Sequence, residues 1–101
     1  MTVAAHKAIH VIVRGRVQGV GFRAFVEHQA LSRGIEGWVR NRRDGTVEAV
    51  FAGDEDTVEA MLRACRRGPS GAKVEGIETG ESDDRTIPRP GSGRFEVLGT
   101  Q

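Results

Sequence analysis

The sequence predicts a single α+β sandwich in which two helices cover an antiparallel sheet, with elements in the order strand, helix, strand, strand, helix, strand. Three observations predict it. Ile9, Val11 and Val13 alternate with the two-residue period of a half-buried strand; Val58, Met61, Leu62 and Cys65 recur at helical spacing; and Asp44-Gly45 separates two runs of strand formers.

The first strand is centred on 9–13, and the glycine-punctuated stretch after it is a loop. Phe22, Phe25, Val26 and Ala30 then predict a helix over 22–33, stopped by Gly34. Residues 35–41 and 46–52 read as two antiparallel strands, and Asp44-Gly45 between them is the signature of a two-residue hairpin turn. In the second helix Asp54, Glu55 and Asp56 stand at the positive end of the macrodipole and Arg63, Arg66 and Arg67 at the negative end. Gly68-Pro69 ends it, and 74–79 reads as a fourth strand. Residues 81–94 carry prolines, glycines and charges and read as a loop, after which 95–98 returns as a short fifth strand. This order is the split βαβ pattern of a ferredoxin-like βαββαβ sandwich, with both helices on one face. One domain over 1–101 is expected, opening with a tail over 1–7.

The composition, with 38% hydrophobic and 29% charged residues and a net charge of +1, is that of an ordinary globular domain and gives no global electrostatic footprint. Function must therefore be local. The lone Cys65 falls on the apolar stripe of the second helix and is expected in the core. Residues 1–7 lack the apolar core of a secretory signal, and no apolar run approaches the ~20 residues of a membrane span, so a cytoplasmic setting is expected.

The local feature is the segment Gly15-Arg16-Val17-Gln18-Gly19-Val20-Gly21-Phe22-Arg23. Glycines at 15, 19 and 21 permit positive φ and leave backbone N–H groups bare, and a helix N-terminus follows them; the arrangement serves either as a tight strand-to-helix connection or as an anion cradle. Arg23 favours the cradle, because it sets a cation against the positive pole of its own helix. The second helix obeys the dipole rule throughout, which sharpens the contrast. No Lys-Ser/Thr pair ends the loop and no third glycine completes a dinucleotide fingerprint, so the pattern fits one phosphate-like group and not ATP or NAD. Arg23 would offer that group two parallel donors.

Asn41 closes the second strand, where such a residue is either a turn former or, through its amide, a holder of water. Gln18 is a loop filler or a further donor. Arg40, Arg42 and Arg43 form a basic cluster that is a solvated face or a funnel for an anion. His10 falls on the less apolar face of the first strand, His6 and His28 have no nearby partners to suggest a metal or a base, and none of the three is assigned a role. Four Phe, one Trp and no Tyr leave little aromatic surface for stacking nucleic-acid bases, although the scaffold also serves as an RNA- or ligand-binding module.

Val17-Gln18-Gly19-Val20-Gly21-Phe22-Arg23, followed by Gly37-Trp38-Val39-Arg40-Asn41 and Asp44-Gly45-Thr46-Val47, resembles the acylphosphatase family in order and spacing over nearly the whole chain. The resemblance implies hydrolysis of a small-molecule acyl phosphate to carboxylate and inorganic phosphate without metal or cofactor; a monomer with no nucleic-acid or membrane partner is expected. Carried across by position, it makes Arg23 the phosphate-binding arginine and Asn41 the water-positioning asparagine. Gly15, Gln18, Gly19, Val20, Gly21 and Phe22 then belong to the phosphate cradle, with backbone N–H groups from Gln18 onward directed at the oxygens. Members often carry Thr where this chain has Val26, and an aromatic residue where it has Ala24. The same resemblance extends to acylphosphatase-like domains of larger maturation enzymes.

Overall fold

Pairing carries the first strand well past its apolar alternation. In the computed structural model, which describes residues 6–82 and 93–101, β1 spans His6–Arg16, α1 Phe22–Ser32, β2 Glu36–Asn41, β3 Val47–Asp54, α2 Glu55–Arg67, β4 Lys73–Glu81 and β5 Phe95–Val97. The tail expected over 1–7 is therefore shorter, since His6 and Lys7 already pair with Asp54 and Gly53. At the other end of the expected 81–94 loop, Glu81 belongs to β4, opposite Ile9, and residues 83–92 lie outside the described residues.

The sheet has the order β4-β1-β3-β2-β5. β1 lies between β3 and β4 and is antiparallel to both, and β2 is antiparallel to β3. The expectation of a wholly antiparallel sheet needs one correction, because β5 runs parallel to β2. The reason is topological. β4 points with β3, so a chain returning from β4 to the far edge of the sheet travels in the direction of β2.

The two periodicities meet in one core. Ile9, Val11 and Val13 of β1 and Val47, Ala49 and Phe51 of β3 face the helices, where they meet Phe22, Val26 and Ala30 of α1 and Val58, Met61, Leu62 and Cys65 of α2. Burial pushes the Cys65 thiol up to about 12, which suits packing and not nucleophilic chemistry. At the end of α1, Ile35 donates to the Ala30 carbonyl at 2.9 Å and Gly34 to that of Leu31 at 3.2 Å. With Gly34 at φ 67°, these are the paired bonds of a Schellman cap, which delivers Ile35 into the core just before β2.

The hairpin between β2 and β3 differs from its sequence signature. Arg42 donates to the Thr46 carbonyl at 2.9 Å and Gly45 to that of Arg42 at 3.1 Å, so the connection is the three residues Arg43, Asp44 and Gly45. Asp44 accounts for the difference. Its carboxylate accepts from the Thr46 N–H at 3.0 Å and the Thr46 hydroxyl at 2.6 Å, holding the turn open by one residue, and these bonds lower its pKa.

Gly37, inside β2, permits no other side chain. Its φ is 140°, and a Cβ there would lie 1.8 Å from the Val50 carbonyl oxygen of the neighbouring strand. Gly37→Ala is expected to destabilise the fold by about 3 kcal/mol or more, combining overpacking with backbone strain. A thermal melt should fall by more than ~10 °C.

Candidate active site

The loop after β1 becomes a donor surface through the conformation of two glycines. Gly19 and Gly21 have φ of 73° and 78°. Gly21 is the N-cap of α1 in the left-handed region, no side chain caps the helix, and its first turn holds no acidic residue. Among the described residues the opening N–H groups of α1 thus meet no capping side chain, as at any helix start without a cap. Here they adjoin a cavity of about 420 Å³ lined by Val17, Gly19, Gly21, Phe22, Arg23, Ala24, Glu27, Asn41 and Val97. Arg23 is half-buried there and makes no ion pair or hydrogen bond among the described residues.

Asn41 reaches the same cavity from the sheet. Its backbone is held on both sides, by the register with Val47 and by the Gln101 N–H donating to its carbonyl at 3.0 Å. The side-chain Oδ1 is buried and has no hydrogen-bond partner among the described residues. A buried acceptor without a partner is costly in a folded protein, and such an atom is a common sign of a site for ligand or water.

Of the cradle residues expected from sequence, Gly19, Gly21 and Phe22 line this cavity together with Arg23 and Asn41; Gly15, Gln18 and Val20 do not. Gly15 lies in β1 at a bulge against β4, where a Cβ would stand 2.2 Å from the Lys73 carbonyl oxygen, so its φ of 124° serves the crossing of two strands. Gln18 spends its amide on structure. Its Nε2 donates to the carbonyl oxygens of Arg42 at 2.7 Å and Thr46 at 2.8 Å, tying the glycine loop to the hairpin that follows Asn41. Val20 packs against the core.

The basic cluster is not a free funnel. On the sheet face away from the helices, Glu48 is 5% exposed, and its carboxylate lies 2.6 Å from His10 Nε2, 2.6 Å from Arg40 Nε and 3.5 Å from Arg42 Nη1. The Arg40 guanidinium also stacks 4.8 Å from the Trp38 ring centre. Arg40 and Arg42, the two neighbours of Asn41 in the chain, are thereby anchored from the opposite face of the sheet. Burial pushes the Glu48 carboxyl up, but hydrogen bonds and charge from His10 and Arg40 outweigh it and hold the pKa below the ordinary value.

That direction fixes the pH dependence. A depressed folded pKa stabilises above the unfolded value, ~4.3, and the contribution is lost as pH falls through the folded one. Glu48→Gln is expected to cost about 2 kcal/mol in urea melts at pH 7, a figure kept low because the cations regain water. The difference from wild type should shrink as pH falls below ~4.3 and on through the lowered folded pKa of Glu48.

Glu27 went unnoticed in the sequence. Its signal was the four-residue spacing from Arg23, which sets both side chains on one face of α1. Among the described residues, no group of three His, Cys, Asp or Glu side chains is placed to hold a metal, and no helix is long and apolar enough to cross a membrane.

Fold and cavity together define an α+β sandwich with a cleft at an uncapped helix N-terminus. Comparison with known proteins gives the class a family. The acylphosphatase family profile matches residues 9–97. An acylphosphatase of Bradyrhizobium diazoefficiens is 51% identical over 94 residues, covering 91% of this chain and 94% of the relative. The crystal structure of acylphosphatase from Bacillus subtilis superposes with a TM-score of 0.81 at 38% identity, over 93% of this chain and 99% of that one. A full-length HypF, crystallised in a phosphate- and nucleotide-bound form, matches with a TM-score of 0.83 at 27% identity, over 98% of this chain but 12% of the HypF chain. The chain belongs to the acylphosphatase family, hydrolases that act on acid anhydrides.

Proposed function

We propose that the protein hydrolyses acyl phosphates to carboxylate and inorganic phosphate, with Arg23 binding the phosphoryl group and Asn41 positioning the attacking water. One observation carries the reading. An unpaired guanidinium, the uncapped N-terminus of α1 and a buried, unpartnered amide oxygen line a single cavity.

In this mechanism the phosphoryl oxygens dock on the backbone N–H groups of the cavity-lining residues Gly19, Gly21, Phe22 and Arg23, and on the Arg23 fork. Asn41 Oδ1 accepts a hydrogen bond from a water and aims its oxygen at phosphorus. The water oxygen forms the new P–O bond as the bond from phosphorus to the carboxylate oxygen breaks. The departing carboxylate takes the electron pair, and a phosphate oxygen takes the water's proton. Carboxylate is a good leaving group, so positioning and preorganised charge supply the catalysis.

The proposed setting is cytoplasmic, with a monomer acting on a small molecule and needing neither metal nor cofactor. The test is hydrolysis of benzoyl phosphate by the purified chain in EDTA, alongside circular dichroism. Turnover is expected to persist in the chelator; a folded, inactive wild type would overturn the assignment.

A further inference from the structure

The cavity exceeds what a phosphoryl group needs. Its volume of about 420 Å³ lies in the range of roughly 300–1,000 Å³ usual for whole small-molecule sites. The lining divides accordingly. Gly19, Gly21, Arg23 and Asn41 serve the phosphoryl end and the core residues Val17 and Phe22 form the floor, leaving Ala24, Glu27 and Val97 around the remaining space.

These three residues have a definite chemistry. Val97 stands on edge strand β5 opposite Val39, two residues before Asn41 in β2, and at 41% exposure it presents an aliphatic side chain at the cavity lip. Ala24 follows Arg23 on α1 and offers only a methyl group. Glu27, half-buried one turn further along α1, is the only carboxylate in the lining. It forms no ion pair or hydrogen bond among the described residues, and the Arg23 guanidinium one turn earlier on the same face is the group the phosphoryl end would engage.

Resting on the acyl phosphate reading, we propose that Glu27 is a specificity-determining residue: the site takes acyl phosphates with an uncharged acyl portion and disfavours those carrying a second anionic group. The phosphoryl group must sit at Arg23, so the acyl portion extends over Ala24 and Val97 and passes the Glu27 carboxylate. A second anion on the acyl group would meet a like charge in a partly desolvated cleft, where such repulsion persists. An aliphatic or aromatic acyl group meets the methyl groups of Ala24 and Val97 instead and gains from burial.

The test compares benzoyl phosphate with its para-carboxy derivative at low ionic strength. Wild type is expected to favour benzoyl phosphate by about tenfold in kcat/KM, the effect of one like-charge contact. Glu27→Gln should bring the ratio near unity, Glu27→Lys should reverse it, and added salt should weaken the wild-type preference. If Glu27→Gln lowers both rates and leaves the ratio unchanged, Glu27 merely positions Arg23 and the proposal falls. Dissociation constants for benzylphosphonate and its para-carboxy derivative, measured by calorimetry on the same proteins, read the charge preference without turnover. A preference that moves with Glu27 while wild type hydrolyses neither acyl phosphate would uphold the specificity assignment and overturn the hydrolase reading. Affinities indifferent to Glu27 would overturn the specificity assignment.

Discussion

Arg23→Ala is expected to lower kcat/KM for benzoyl phosphate by ~10²- to 10³-fold while leaving the fold at least as stable as wild type. The activity term follows from deleting a preorganised donor to developing charge, which typically costs that much. The stability term follows from position. Arg23 is in the first turn of α1, where a cation opposes the helix dipole, and it forms no bond among the described residues to compensate. Removing it relieves about 0.3–1 kcal/mol of unfavourable interaction. Few substitutions separate activity from stability so sharply. Inorganic phosphate supplies a second readout: millimolar phosphate should raise the melting temperature of wild type by mass action and leave that of Arg23→Ala unmoved. Arg23→Lys keeps the charge but loses the planar fork, so a fall of at least tenfold is expected; full activity in that variant would remove the bidentate contact from the mechanism.

The residues of the candidate site were legible because their signals are local. Gly19 and Gly21 stand where positive φ is required, and Arg23 breaks a dipole rule that α2 obeys. Asn41 was legible only as a residue type at a strand end. What the local pattern could not carry was register. A two-residue turn at Asp44-Gly45 would set Asn41 opposite Glu48; the three-residue turn sets Asn41 opposite Val47 and Arg40 opposite Glu48. A slip of one residue exchanges the faces of a strand, so it decides whether Asn41 reaches the cavity. Val39 and Ala49 in the core enforce the observed pairing, and Asp44 accommodates it by bonding Thr46. The Glu48 cluster and the parallel β5 were hidden for the same reason, since each depends on which strands become neighbours. The pairing of Glu27 with the cavity needed only helical spacing, but gained meaning once Val97 closed the opposite wall.

Asn41→Ala should produce the second large effect, a fall in kcat of ~10²-fold or more with little loss of stability. The strand around Asn41 is fixed by backbone bonds to β3 and to Gln101, so truncating the side chain need not move it. The side chain contributes a buried oxygen with no partner, an unfavourable feature that alanine removes. Its catalytic contribution is geometric, and mispositioning a reacting group by about 1 Å can cost ~10²-fold. Asn41→Asp separates acceptor from charge. It keeps an oxygen close to the same place but exchanges the amide for a negative charge within an anion site, so at neutral pH it should weaken phosphate binding as well as turnover. The deciding measurement is inhibition by inorganic phosphate in all three proteins. If Asn41→Ala loses kcat while its phosphate inhibition constant stays at the wild-type value, Asn41 acts on the water; if affinity for phosphate falls in parallel, Asn41 is a phosphate ligand and the water must be held elsewhere.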